Sequence, residues 1–232
     1  MIMLGNPPMN QELELKNLNE IERQWRQNTT HRIKRVLDLG IASLALIISL
    51  PVWPLIALAI TLESRGPIFF RQQRIGLCLP TQCRIFQMIK FRTMVQDAES
   101  RSGAVWAQKN DPRTTKTGKF LRKTRLDELP QLINVLCGDM SLVGPRPERP
   151  GFYKKLENDI PYFAERTYGI LPGITGLAQV NQGYDQCLDD VRNKLRYDFC
   201  YSLALRNPLS MVKMDLLVVW KTLTVMICGR GQ

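Results

Sequence analysis

Two prolines, Pro51 and Pro54, interrupt the longest apolar run of the chain, and that interruption constrains the fold more than any other feature. Over residues 36–62 the only ionisable side chain is Asp38; Arg32, Lys34 and Arg35 precede the run, and Glu63 and Arg65 follow it. A straight helix of this length would reach roughly 40 Å, more than the roughly 30 Å hydrocarbon core of a bilayer, so length alone permits a span. Each proline lacks an N–H and presses on the carbonyl four residues back, which frees Ile47 and Leu50 and favours a sharp bend. The two arms, 36–50 and 52–62, would extend only roughly 22 Å and 16 Å as helices, each too short to cross alone. They fit a hairpin that enters and leaves on one face, with Ser49 donating to a nearby carbonyl at the break. A cleaved secretory signal is a poor match, because the polar leader is long and residues 61–66 lack a small-residue cleavage pattern.

The whole chain has 232 residues, enough for one cored domain beside a membrane element and too few for a second catalytic domain. A net charge of +11 points to anionic partners: phospholipid, a nucleotide sugar or nucleic acid. The six cysteines include no Cys-x-x-Cys and His31 is the only histidine, which argues against zinc. Without a small, dense cysteine framework, they read as free packing thiols in a reducing compartment.

The chemistry concentrates at Asp127-Glu128, set among cations in Arg122-Lys-Thr-Arg-Leu-Asp-Glu-Leu-Pro130. Pro130 suits a first helical position, and Leu129, Leu132, Ile133 and Leu136 recur at helical spacing until Gly138. The carboxylates then lie at the positive end of a helix, where unpaired N–H groups favour a diphosphate and keep an acid ionised. A capping arrangement, Thr124-x-x-Asp127, is the alternative. Downstream, Pro145-Arg146-Pro147 holds a guanidinium at a set angle, suited to two-pronged phosphate binding; the alternative is an ordinary proline-rich turn. Upstream, Ile85-Phe-Gln-Met-Ile89 reads as a strand entering the basic turn Lys90-Phe-Arg-Thr-Met94.

These segments, in order, closely resemble the bacterial sugar transferases, or monotopic phosphoglycosyl transferases. The landmarks are Lys34-Arg35-x-x-Asp38, Gly66-Pro67-x-Phe69-Phe70-x-Gln72, Lys90-Phe-Arg-Thr-Met94, Asp111-x-Arg113, Gly118-x-x-x-Arg122, Asp127-Glu-Leu-Pro-Gln131, Gly138-Asp-Met-Ser-Leu-Val-Gly-Pro-Arg-Pro147 and Pro172-Gly-Ile-Thr-Gly176. The resemblance implies an α+β fold: a compact cytoplasmic catalytic domain with an N-terminal re-entrant membrane helix hairpin and interfacial amphipathic helices, at the bacterial inner membrane. The family's helix break is often Ser-Pro; here it reads Ser49-Leu50-Pro51. The implied reaction moves a sugar 1-phosphate from a nucleotide diphosphate sugar, usually a UDP-sugar, to undecaprenyl phosphate, releasing UMP. Such a step initiates a lipid-linked glycan for exopolysaccharide, capsule, O-antigen or glycoprotein. Asp127 is the implied nucleophile, with Glu128 assisting, and both carboxylates are candidate ligands of Mg²⁺. Lys90, Arg122 and Arg146 are the candidate phosphate clamps, and Gln179 points toward substrate.

Three segments follow: a leader over 1–33, a re-entrant helix over 34–65 and a catalytic domain over 66–232. In the leader, Leu13, Leu15, Leu18, Ile21 and Trp25 suit an interfacial helix. Residues 68–94 read as strands around a 76–81 turn, and 97–111 as a polar connection whose Trp106 is a candidate membrane or base contact. Residues 116–125 suggest a helix that buries Phe120 and Leu121 under a solvated basic face. Leucine 177 to Asn181 reads as a strand, 188–205 as a patterned helix, and 209–227 as an amphipathic helix on the membrane surface. A nucleic-acid module would explain the charge, but zinc-finger spacing and aromatic RNA-recognition motifs are missing from the sequence, so no nucleic acid partner is expected. A noncatalytic membrane scaffold would leave the acid pair and the rigid arginine without a purpose. Sugar identity, and whether the chain forms a homo-oligomer, stay open at this level.

Overall fold

A computed structural model of the chain describes residues 2–3, 28–79, 82–96, 98, 111–182 and 187–227. The proposed leader helix, most of the 97–111 connection with Trp106, and Cys228 lie outside them. The chain mixes helix and sheet. In order, its elements are β1 (Ile2–Met3), α1 (Thr29–Ser49), α2 (Trp53–Glu63), β2 (Phe69–Leu79), β3 (Gln82–Phe91), α3 (Lys116–Thr124), α4 (Gln131–Cys137), β4 (Ser141–Val143), α5 (Pro150–Asp159), β5 (Gly173–Thr175), α6 (Leu177–Asn181), α7 (Leu188–Ala204) and α8 (Pro208–Ile227). Strand β3 lies between β1 and β2 in an antiparallel sheet, and β4 pairs with β5 in parallel.

The apolar run is helical on both sides of a short 3-10 turn, Leu50–Val52, that contains Pro51. Helix α1 begins at Thr29, within the stretch assigned to the leader, because the Asn28 side chain accepts from Thr30 N and starts it early. At the break, Ser49 Oγ donates to the Leu46 carbonyl at 3.1 Å, as its position suggests. The Leu50 carbonyl, which Pro54 cannot satisfy, is taken up by the Trp53 N–H. Each arm buries one face and exposes the other. Ala42 packs with Phe86, Met88, Leu132, Val135 and Met140, and Ile56 and Ile60 pack with Phe91 and Leu121. Val36, Leu44, Ile47, Ile48, Leu55, Leu58 and Leu62 face outward.

Both ends of this segment dock on the same body. Arg35 donates to the Val135 and Leu136 carbonyls at the end of α4. At the far end, Glu63 accepts from Lys116 N and Thr117 N at 2.6 Å and 2.8 Å, capping the start of α3, and Arg92 donates to the Ser64 and Arg65 carbonyls. By length and composition 29–63 suffices to cross a membrane. A straight helix over it would hold its ends about 50 Å apart.

Several local expectations change. Leu177–Asn181 is helical, and the strand is Gly173–Thr175. The parallel pairing of Ser141 with Gly173 and Val143 with Thr175 ends at Gly176, after which Leu177 and Ala178 turn inward together, as a helix allows and an alternating strand does not. Gly144 and Gly173 make this pairing possible, since a Cβ on Gly173 would meet Gly144 N at 2.1 Å. Gly76 lies within β2, beside a register shift between Ile75 and Cys78. Across the sheet, Cys78 pairs with Cys83 and the two form a disulfide. This corrects the all-thiol reading, since strand register, invisible in a spacing of five, brings the sulfurs together. Cys137, Cys187 and Cys200 are free. On α3, Leu121 is buried but Phe120 is exposed, because neighbours on a helix are about 100° apart and only one can face Ile56, Ile60 and Phe91.

Candidate active site

Asp127 and Glu128 sit on a 3-10 turn, Leu126–Glu128, between α3 and α4. Helix α3 ends where Arg125 enters the left-handed region at φ 56°, a conformation that costs a non-glycine residue about 1 kcal/mol and here redirects the chain. Pro130 is the residue before α4 rather than its first helical position, and Gly138 ends that helix at φ 89°. The Thr124 hydroxyl bonds back to the Phe120 and Leu121 carbonyls of its own helix, so the capping alternative does not apply.

Both carboxylates are buried, and cations converge on them from three parts of the chain. Lys90, at the end of β3, places Nζ 2.7 Å from Glu128 Oε1. Arg146 Nη1 stands 3.6 Å from the same oxygen, and Arg125 Nη1 is 3.9 Å from Oε2. Burial would raise the Glu128 pKa, but Lys90, Arg146 and Arg125 outweigh it and hold the group down at about 2. Asp127 moves the other way. Burial pushes its pKa up to about 6, reinforced by the Glu128 charge and opposed by Lys90, Arg122 and Arg146. Burial also lowers the Lys90 pKa, against the pull of Glu128. The result is a fixed anion beside an ionisable one whose charge is poorly solvated. Desolvation makes such a carboxylate a better nucleophile and a better ligand for a cation.

Arg146 extends from a segment tied down along its backbone. Gly144 N donates to Thr175 O, Gly173 N to Pro145 O, and Ile75 N to Glu148 O, each at 2.9 Å. Arg122 is oriented by two hydroxyls, its Nε donating to Thr93 Oγ1 at 2.9 Å and its Nη1 to Thr114 Oγ1 at 3.3 Å. Gln179 stands apart from the acid pair. Its Nε2 donates to Ile174 O, its Oε1 is buried without a partner, and it lines a cavity of about 20 Å³ together with Arg146, Glu148, Arg166 and Lys194. The structure therefore gathers Lys90, Arg122, Asp127, Glu128 and Arg146, and links Gln179 to them only through Arg146.

Arg125, Arg74 and Arg166 were not singled out by sequence. Arg125 carries a usable signal, two residues from Asp127, but in sequence it reads as part of a solvated basic run. Arg74 and Arg166 carried none. Arg74 Nη1 donates to Pro147 O at 3.0 Å, and Arg166 bonds Asp198 and, at 3.4 Å, Glu148, pairings across tens of residues.

No group of three or more His, Cys, Asp or Glu side chains forms a metal cluster among the described residues. The acid pair alone offers two carboxylates. That donor set fits Mg²⁺, which is commonly held by one or two carboxylates plus substrate phosphates and water.

The chain has clear relatives. It is 42% identical over 199 residues to a UDP-N-acetylgalactosamine-undecaprenyl-phosphate N-acetylgalactosaminephosphotransferase of Aeromonas hydrophila, covering 86% of this chain and 44% of that protein. Two UDP-glucose:undecaprenyl-phosphate glucose-1-phosphate transferases are similar to it. One, of Caulobacter vibrioides, is 44% identical over 170 residues, covering 72% of this chain and 61% of the relative. The other, of Klebsiella pneumoniae, is 41% identical over 170 residues, covering 72% and 35%. The chain thus spans about a third to three fifths of the length of these relatives. The bacterial sugar transferase family model matches residues 29–229, which include every element from α1 to α8, and the chain belongs to that family.

Proposed function

We propose that the protein is a membrane-bound phosphoglycosyl transferase that moves a sugar 1-phosphate from a UDP-sugar to undecaprenyl phosphate. The observation that carries this reading is the buried Asp127 carboxylate, pushed up to about 6, enclosed with Glu128 by cations from three separate segments. The names of the relatives supply the donor and acceptor classes.

In the first step an Asp127 carboxylate oxygen attacks the β-phosphorus of the donor. The bond from that phosphorus to the oxygen bridging to UMP breaks, and UMP departs with the electron pair. In the second step a phosphate oxygen of undecaprenyl phosphate attacks the same phosphorus and displaces Asp127, leaving undecaprenyl diphosphate sugar. Splitting the transfer suits a soluble donor and a lipid-embedded acceptor, because the two need not be aligned at once. Arg146 and Arg122 hold phosphate oxygens, and Lys90 keeps Glu128 ionised. Mg²⁺, held by Asp127 or Glu128 with phosphate oxygens, would neutralise charge on the diphosphate.

The apolar segment is read as a re-entrant hairpin on the cytoplasmic face, where nucleotide sugars are found. Supporting this, Arg35 and Glu63 lie near opposite ends of the segment and dock on one folded body, which a straight span would forbid. The exposed apolar side chains of α1 and α2, with Leu216, Trp220 and Leu223 of α8, suit lipid.

The test uses detergent-solubilised protein, a panel of UDP-sugars and Mg²⁺. Without lipid acceptor, a burst of about one equivalent of UMP and a gain of one sugar phosphate in mass, mapped to Asp127, are expected. An adduct on another residue would overturn the assignment. Single cysteines at positions 32 and 65 of a cysteine-free variant should both resist an impermeant reagent in intact cells; labelling of one alone would mean a span.

A further inference from the structure

We infer that Arg74, on β2, is a positioning residue for Arg146: it holds the Pro145-Arg146-Pro147 segment in the register that aims the Arg146 guanidinium at phosphate. This deepens the reading above of a phosphate-handling site. Arg74 is partly buried, and both ends of its planar fork are engaged. One Nη donates to the Pro147 carbonyl at 3.0 Å, and the other to Gln72 Oε1 at 2.6 Å. The next residue along β2, Ile75, donates its N–H to the Glu148 carbonyl at 2.9 Å. Strand β2 therefore grips two successive carbonyls immediately after Arg146, one by backbone and one by side chain. On the other flank, Gly173 N holds the Pro145 carbonyl. Pro145 and Pro147 have no N–H to offer, so these carbonyls are the handles by which the segment can be fixed.

Charge makes the choice of residue informative. Arg74 lies among cations: burial first, and then Arg146, press its pKa down to about 10, with Arg149 adding and Glu148 and Glu128 opposing. It still carries its charge at neutral pH. A guanidinium placed behind a second guanidinium is unfavourable for structure alone, since a neutral donor would hold a carbonyl as well. Behind an arginine that receives phosphate, the same charge biases Arg146 away from β2 and toward Glu128 and an incoming anion. A lysine at 74 would keep the charge but could not span Pro147 O and Gln72 Oε1 in one plane.

The test is a double-mutant cycle on the full chain, comparing wild type, Arg74→Lys, Arg146→Lys and the double variant. Two readouts are taken: UMP release with varied UDP-sugar, and calorimetric binding of inorganic pyrophosphate. Arg74→Lys is expected to lose roughly tenfold in kcat/KM and in pyrophosphate affinity. In the Arg146→Lys background the same change should cost less than about twofold. Losses that multiply, or no loss in the single variant, would overturn the inference. Pyrophosphate coupling without any UMP release would keep Arg74 in this role and reject the transferase reading, whereas release without coupling would do the reverse. If Arg74→Lys does not fold, Gln72→Leu, which frees the other end of the fork, takes its place with an expected loss of about threefold that likewise vanishes beside Arg146→Lys.

Discussion

Among the clusters of buried charge in the described residues, two are built differently. In the first, Lys34 of α1 stands 2.7 Å from Asp215 of α8 and 3.5 Å from Asp38. Ser141 Oγ and Leu142 N donate to the two oxygens of Asp38, and the Tyr201 hydroxyl donates to the other oxygen of Asp215. Every carboxylate oxygen there has a donor, and the cluster ties the apolar segment to β4 and α8. In the second, three cations crowd Glu128 while burial opposes the charge of its neighbour Asp127. A satisfied cluster holds elements together; one with surplus cations and a reluctant anion is arranged for something to arrive. On the function proposed above, the second cluster is the one that carries the chemistry.

The largest effect expected from this contrast is at Asp127. Asp127→Asn should abolish turnover, by about 10⁴-fold or more as for other nucleophile removals, and yet should not weaken the fold. A carboxyl group raised from 3.8 to about 6 binds a proton in the folded state that the unfolded chain releases. Stability therefore falls as pH climbs through that window, and at pH 7.5 the buried charge costs on the order of 3 kcal/mol. The Asn variant should melt a few degrees above wild type at pH 7.5 and lose that advantage near pH 4. A variant that melts well below wild type at pH 7.5 would mean that Asp127 is structurally required.

Lys34→Met should behave in the opposite sense. Removing the one cation between two buried acids should destabilise the protein by about 3–5 kcal/mol, with kcat per folded molecule within a few-fold of wild type. Wild-type stability in that variant would remove the distinction between the clusters.

The smallest effect is in the pH profile. With Asp127 required as the anion and Glu128 held near 2, kcat/KM should fall tenfold per unit below about pH 6 through a single ionisation. A profile flat down to pH 5, measured by UMP release, would show that Asp127 ionises more easily than its burial implies.

Much of the site was legible because its residues announce themselves locally. An adjacent acid pair among cations, an arginine between prolines and a basic turn after an apolar strand each sit within a few residues of one another. The same holds for the proline break, whose position depends on the missing N–H of Pro51 and the hydroxyl of Ser49. What was misread depended on partners far away. Phe120 and Leu121 are equally apolar, and only the docking of Ile56 and Ile60 decides which is buried. Leu177–Asn181 fits a strand or a helix until Gly173–Thr175 takes the place beside β4.

Sequence by itself determined the family, through the order of its motifs along the chain, and the broken apolar segment, the acid pair and the cations Lys90, Arg122 and Arg146, which follow from backbone restrictions or charge along short stretches. Tertiary structure alone decided that Arg74 holds Pro147, that Cys78 meets Cys83, that Lys34 bridges Asp38 and Asp215, and that Asp127 and Glu128 ionise so differently. The physical reason is that burial and distance between charges are properties of the packed chain, and two adjacent carboxylates are chemically alike until the fold surrounds one with cations and withdraws water from the other.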